Sequence, residues 1–179
     1  SVIWESVFGF DIDGENQVYG LDNAYDLILS SDGGYIITGQ YHAQHPDILI
    51  LKIDGQGNLE NKYNISTAPP SQRIIESGKS ILTFNDNYII LGSISQSSAD
   101  GPSNVWLSEY DASLNDVGDT LWSKTWNLNT YDVPEKIIQI SNGSFAFAGY
   151  SLNNSGELEF SWIINTDNAG NELSSINLT

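Results

Sequence analysis

The chain has 179 residues, one domain's worth, with 6 Lys and Arg against 23 Asp and Glu and a net charge of −17. Such a surface repels phosphate backbones and anionic lipid, which excludes nucleic-acid binding and docking on an acidic membrane. With no Cys and 2 His, disulfides, zinc–thiolate centres, iron–sulfur clusters, cysteine nucleophiles and multi-histidine metal centres are excluded. No apolar run reaches the roughly 18 residues of a membrane-spanning segment, so no membrane insertion is expected.

The hydrophobic share of 40% and aromatic share of 11% suffice for a core. Asn, Ser and Thr supply 49 of the 179 residues, so the surface is polar more than charged. A Lys-poor, cysteine-free, Asn/Ser/Thr-rich acidic chain predicts an exported prokaryotic protein, extracellular or at the cell surface. The chain starts at Ser1 and contains no Met, which reads as a processed or trimmed form.

In chain order, residues 1–9, Ser-Val-Ile-Trp-Glu-Ser-Val-Phe-Gly, read as a strand. Asp11-Ile-Asp13-Gly14-Glu15-Asn16 follows, a polar turn with alternating carboxylates. Then a pattern recurs three times: a β-rich run, a tight turn, an aromatic, a second β-rich run and a glycine. Tyr35, Tyr88 and Phe145 mark the aromatic, and Gly39, Gly92 and Gly149 the glycine, at intervals of 53 and 57 residues. Asp54, Asp111 and Asp167 each end a further hydrophobic run, 57 and 56 residues apart.

Each repeat carries four strand signals. Strand a lies near 25–31, 78–84 and 135–141, and strand b runs to the shared glycine. Asp32-Gly-Gly34, Asn85-Asp-Asn87 and Asn142-Gly-Ser144 suit the hairpins between them, because Gly, Asn and Asp tolerate positive φ. Polar loops follow at 40–46, 93–103 and 150–158. Strand c ends at the shared Asp, and strand d runs Leu59 to Ile65, Leu121 to Leu128 and Leu173 to Leu178. No segment shows a sustained helical period with caps, so the chain reads as all-β.

Ser-Asp-Gly-Gly-Tyr-Ile-Ile-Thr-Gly39, Asp47-Ile-Leu-Ile-Leu-Lys-Ile-Asp-x-x-Gly-Asn58 and Trp122-Ser-Lys-Thr-Trp126 resemble the repeats of secreted prokaryotic β-propellers. The resemblance implies a β-propeller-like array of three four-stranded antiparallel blades, at about 22–65, 72–128 and 131–178, with one extra N-terminal strand over 1–9. It implies no particular function, because propellers host enzymes, lectins and scaffolds alike. Trp4 and Phe8 keep the spacing of Trp122 and Trp126, so residues 1–9 read as a fourth strand d. Closed propellers use about 4–8 blades. Three blades and a spare strand therefore point to a two-chain ring, a fragment of a larger propeller, or strand addition between chains, against simple local pairing of 1–9.

The chemistry-bearing residues divide as follows. Asp11, Asp13, Glu15 and Asn16 form a candidate calcium turn without the terminal bidentate Glu; the bland reading is a polar turn of solvated charges, and no cofactor is expected beyond that calcium candidate. The acidic turn 111–119, with Asn115 and Asp116, is a weaker version of the same pattern. His42, His45 and Asp47 are a candidate transition-metal set in a loop where histidine is ordinarily solvated. Asp32, Asp54 and Asp167 read as turn formers, since catalytic carboxylates need not recur once per repeat. With no nucleophile motif either, no enzyme is expected. Trp106 and Trp162 align with Leu49 as packing positions. Trp4, Trp122 and Trp126 are read as covering a blade's outer flank, making an interface or stacking on sugar rings, with burial favoured. Tyr41 and Tyr150 are read as matching positions after strand b and form a candidate sugar-stacking pair. Asn64, Asn142, Asn153 and Asn177 head N-x-Ser/Thr sequons, about as many as composition alone produces.

The leading expectation is a non-enzymatic exported structural protein that self-associates through Val2, Ile3, Trp4, Val7 and Phe8, as filaments or a surface layer. A carbohydrate-binding or adhesion module is the alternative.

Overall fold

A computed structural model describes residues 4–6, 22–42, 46–66, 74–96, 102–111 and 120–179. Among them are twelve strands and no helix. The strands are β1 Asn23–Leu29, β2 Tyr35–His42, β3 Pro46–Ile53, β4 Leu59–Ile65, β5 Ile74–Phe84 and β6 Asn87–Gln96, then β7 Ser103–Tyr110, β8 Thr120–Trp126, β9 Tyr131–Gln139, β10 Phe145–Leu152, β11 Leu158–Thr166 and β12 Glu172–Leu178. They form a four-stranded sheet, β1–β4, and an eight-stranded sheet. The larger sheet is two antiparallel meanders, β5–β8 and β9–β12, joined where β7 and β9 run parallel at the single pair Ser103 and Tyr131. The three expected sets of four strands are thus present, hydrogen-bonded into two sheets, and neither closes on itself among the described residues. They are called units 1, 2 and 3 below.

Three expectations differ from the structure. Strand b does not stop at the shared glycine but runs on to His42, Gln96 and Leu152, into the ranges expected as loops at 40–46, 93–103 and 150–158. The first strand of each unit starts earlier, at Asn23, Ile74 and Tyr131. Its alternation is interrupted by a bulge, and the sequence pattern is regular only beyond it. Trp4, Glu5 and Ser6 lie outside every strand, and the rest of the expected strand over 1–9 lies outside the described residues.

The hairpins explain themselves locally. In five turns the first residue's N–H donates to the carbonyl four residues on, and a glycine one residue before that carbonyl takes positive φ: Gly33, Gly57, Gly143, Gly156 and Gly170. The turn between β5 and β6 instead uses Asn85 and Asp86, both at positive φ (49° and 66°), as a two-residue mirror-image turn.

The units pack face to face. β5 lies across β1, β2 and β3, and β9 lies across β5, β6 and β7. Between units 1 and 2, Ile36, Ile48, Ile50 and Ile65 meet Ile81, Tyr88, Ile90 and Trp106. Between units 2 and 3, Ile89, Leu91, Val105 and Leu107 meet Ile137, Phe145, Phe147, Trp162 and Ile164. Trp106 and Trp162 are buried, as their alignment with Leu49 predicts.

The shared glycine has a steric cause. A Cβ on Gly39, Gly92 or Gly149 would strike the backbone carbonyl of Asn23, Ser77 or Val133, the residue of strand a that approaches it at the bulge. The bare backbone also seats an indole: Trp106 lies opposite Gly92 and Trp162 opposite Gly149. A Cβ on Gly143 would meet nothing within 4 Å, so only the φ of +84° disfavours a side chain there. Gly92→Ala is therefore expected to lower the unfolding free energy by about 3 kcal/mol, and Gly143→Ala by about 1 kcal/mol, in urea titrations.

Candidate assembly site

The bulges in β1, β5 and β9 fall at Tyr25, Lys79 and Glu135, the same place in each unit. The residues just beyond them, Asp26, Ser80 and Lys136, converge. The Asp26 carboxylate accepts hydrogen bonds from the Ser80 hydroxyl (2.8 Å), the Ile81 N–H (3.0 Å) and the Lys136 ammonium (2.7 Å). The Ser80 hydroxyl oxygen in turn accepts from the Ile137 N–H (3.4 Å). The rule is one of succession: a side-chain oxygen of one unit accepts the N–H one residue further along in the next. Lys136 ends the series, because an ammonium offers donors and no acceptor. It reaches back instead to unit 1. Beside this hub, the Lys79 ammonium sits 3.7 Å from the centre of the Tyr25 ring.

Burial of Asp26 pushes its carboxyl up, but the Lys136, Ile81 and Ser80 hydrogen bonds outweigh that and hold it below the usual carboxylate range. Three turn carboxylates are held low as well. Lys52, 2.6 Å away, and the Gly34 N–H bring Asp32 to about 2. Asp54 and Asp167 are lowered first by their hydrogen bonds with Asn58 and Asn171. Each accepts two backbone N–H groups and the carboxamide of its own Asp-x-x-Gly-Asn turn, at 2.8–2.9 Å. The turn-former reading of these residues matches this geometry.

A second repeated acid escaped the sequence reading. By register, Asp22, Glu76 and Asp132 are equivalent, each directly before the residue whose carbonyl approaches the shared glycine. Glu76 and Asp132 are fully buried. Asp132 accepts from the Leu128 and Asn129 N–H groups (2.8 and 3.3 Å) and from the Ser151 hydroxyl (2.6 Å), which fixes the connection from unit 2 into unit 3. Their spacing of 54 and 56 residues was the available signal.

The outer face of unit 1 differs from its counterparts at β1, while Tyr41, Leu49 and Leu51 on the same face are buried together. Leu27, Ile81 and Ile137 occupy one register position. Ile81 and Ile137 are each 2% exposed beneath the preceding unit, whereas Leu27 is 58% exposed. Leu29, also on β1, is exposed as well. Part of this face is occupied by Trp4, whose ring lies edge-on to Tyr35 at 6.0 Å. A Cβ on Gly57 would strike the Trp4 indole, and a Cβ on the equivalent Gly170 would strike the Trp122 indole. Trp4 thus sits on unit 1 as Trp122 of β8 sits on unit 3. Trp126 completes that contact on Phe147 and donates from its indole N–H to Glu172 (2.9 Å).

The remaining candidates are scattered. Val2, Ile3, Val7 and Phe8, the calcium turn of Asp11, Asp13, Glu15 and Asn16, and His45 lie outside the described residues, as do positions 112–119 of the other acidic turn. Among the described residues no group of three His, Cys, Asp or Glu is placed to hold a metal ion. Tyr41 and Tyr150 do not match: Tyr41 is two residues beyond its glycine and Tyr150 one beyond its own, so Tyr150 shares the register of Gln40. Alternation then puts the two rings on opposite faces of equivalent strands. Tyr41 is also buried, with the Lys62 ammonium 3.8 Å from its ring centre. Of the sequon asparagines, Asn64 and Asn177 are exposed on β4 and β12, while Asn142 and Asn153 accept backbone N–H groups within their own turns.

No family model matches this chain, and no curated protein matches it.

The lowered carboxyl of Asp26 gives stability a direction with pH. Its contribution is complete above the unfolded value of about 3.9 and is lost as the pH falls through the lower folded value. Asp26→Asn is expected to cost about 2 kcal/mol at pH 7 and to flatten the acid limb of urea-derived stability below about pH 4. Some slope remains, because Asp32, Asp54 and Asp167 are lowered too.

Proposed function

We propose that this chain is a non-enzymatic structural protein, a propeller-like array of three blades that is exported and self-associates at the cell surface or outside it. The observation that carries the reading is the exposure of Leu27 at 58% where its two equivalents stand at 2%. The same kind of position is covered by a neighbouring unit twice within the chain and left uncovered once. Covering an aliphatic side chain of this size contributes about 2 kcal/mol. The polar composition fits a protein that works in water at high density, and the net charge of −17 limits nonspecific clumping.

Self-association is tested by light scattering on a sizing column. The expected species is larger than the 19.7 kDa chain. Leu27→Asp should weaken association on the order of thirtyfold while leaving the far-UV circular dichroism unchanged. A wild-type protein that stays monomeric up to millimolar concentration overturns the reading.

A further inference from the structure

We propose that copies meet head to tail and face to face, β1 of one copy lying across β9, β10 and β11 of another, so that the junction between units inside the chain is repeated between chains. The proposal rests on the self-association reading above and names the surface that covers Leu27.

The junction has two halves. Inside the chain, the first strand of a unit lies across the first three strands of the unit before it, β5 on β1–β3 and β9 on β5–β7. Ile81 and Ile137 are the residues so covered. One residue further along each first strand, the side chain faces the following unit instead. There Ile28 packs with the cluster that holds Ile81, and Leu82 with the cluster that holds Ile137. Ile138, the third member of this set, is 55% exposed. Position 163 repeats the pattern. Ile50 and Leu107 are fully buried, and their register equivalent Ile163 is half-buried. Unit 3 thus ends on one half of the junction and unit 1 begins on the other. Ile138 and Leu27 are both exposed in the same chain, so the third pairing of this kind is made between two copies.

The part of unit 1 that is already covered sets the extent of the contact. Tyr41, Leu49 and Leu51 on β2 and β3 are buried, and Trp4 lies against Gly57 in the turn between β3 and β4. β1 is left, with Leu27 and Leu29 exposed. The first strand is also the element with which units 2 and 3 make their junctions.

The polar groups at such a contact are matched. At the internal junctions the preceding unit supplies an acceptor for the N–H at the Leu27 position, Asp26 for Ile81 and Ser80 for Ile137. Lys136 supplies none, but the Leu27 N–H already donates to the Asp26 carboxylate of its own chain at 3.1 Å. No donor is stranded. The hub side chains of successive units also meet, as the Ser80 hydroxyl meets Asp26 at 2.8 Å. The junction between copies therefore brings the Lys136 ammonium of one to the Asp26 carboxylate of the other. Ile138 and Ile163, with Ala146 and Ala148 on the strand between them, carry no charge, which lets two chains of net charge −17 approach. The contact joins two different surfaces, so copies add in one direction, as an open chain or, where the rotation closes, a ring.

The test uses full-length variants. Leu27→Asp removes the head surface and Ile138→Asp the tail surface, both at side chains more than half exposed, so the circular dichroism spectrum is expected to stay unchanged. Either variant alone is expected to associate on the order of thirtyfold more weakly than wild type in light scattering. Mixed, they are expected to form a 1:1 dimer with the affinity of a wild-type contact and nothing larger, since each retains the surface the other lacks. Leu27→Cys and Ile138→Cys, each with the single thiol of its chain, should be joined by a short bis-maleimide in the mixture and far less in either alone. Wild-type assembly that Ile138→Asp leaves intact, a mixture of the Asp variants no larger than its components, or a cysteine variant that cross-links to itself as fast as to the other overturns head-to-tail stacking while self-association stands. A wild type that stays monomeric overturns both.

Discussion

The arrangement of the three units depends on a bulge that recurs at one position in β1, β5 and β9. One extra residue there turns the following side chain toward the neighbouring unit and brings the preceding carbonyl against strand b. The first effect creates the hub of Asp26, Ser80 and Lys136. The second forbids any side chain at Gly39, Gly92 and Gly149, and the space so vacated receives Trp106 and Trp162. Hub, glycine and tryptophan are thus consequences of one backbone irregularity, and the cores between units form around it.

Charge is used sparingly and at junctions. Four of the described lysines each bind a defined partner: Lys52 joins Asp32 and Glu60, Lys136 joins units 1 and 3, Lys79 lies over Tyr25 and Lys62 over Tyr41. Lys124 of unit 2 helps keep Asp167 of unit 3 ionised. In a chain with so large an acid excess, each cation placed where two elements meet relieves repulsion where the chain is most compact. The Lys136 contact differs from the others in linking units that are not adjacent in sequence.

The sequence was most informative where a residue's role is local. Asp-x-x-Gly-Asn and Asp-Gly-Gly reveal their turns because side chain, glycine and backbone act within five residues. The fourfold strand count per repeat was equally readable, since alternation and turn chemistry agree. The bulges were not, because a single inserted residue looks like imperfect alternation. Tyr150 stands one residue nearer its glycine than Tyr41 does, and the β5–β6 turn, one residue shorter than its counterparts, offsets the recurrence of Asp22, Glu76 and Asp132. The joining of units 2 and 3 through Ser103 and Tyr131 is one bridge between distant segments, and no local pattern encodes it.

The self-contained turns bear on how the chain reaches this structure. A hairpin whose turn is satisfied by its own side chains can form before any other part of the chain is in place, in roughly 1–10 μs. Docking of β5 on β1–β3 and of β9 on β5–β7 instead joins segments some fifty residues apart, and closing the Asp26–Lys136 contact spans 110 residues. Loop-closure entropy makes those events the slow ones. The expected order is rapid hairpin formation followed by slower docking of the meanders, with the hub completed when the third meander arrives.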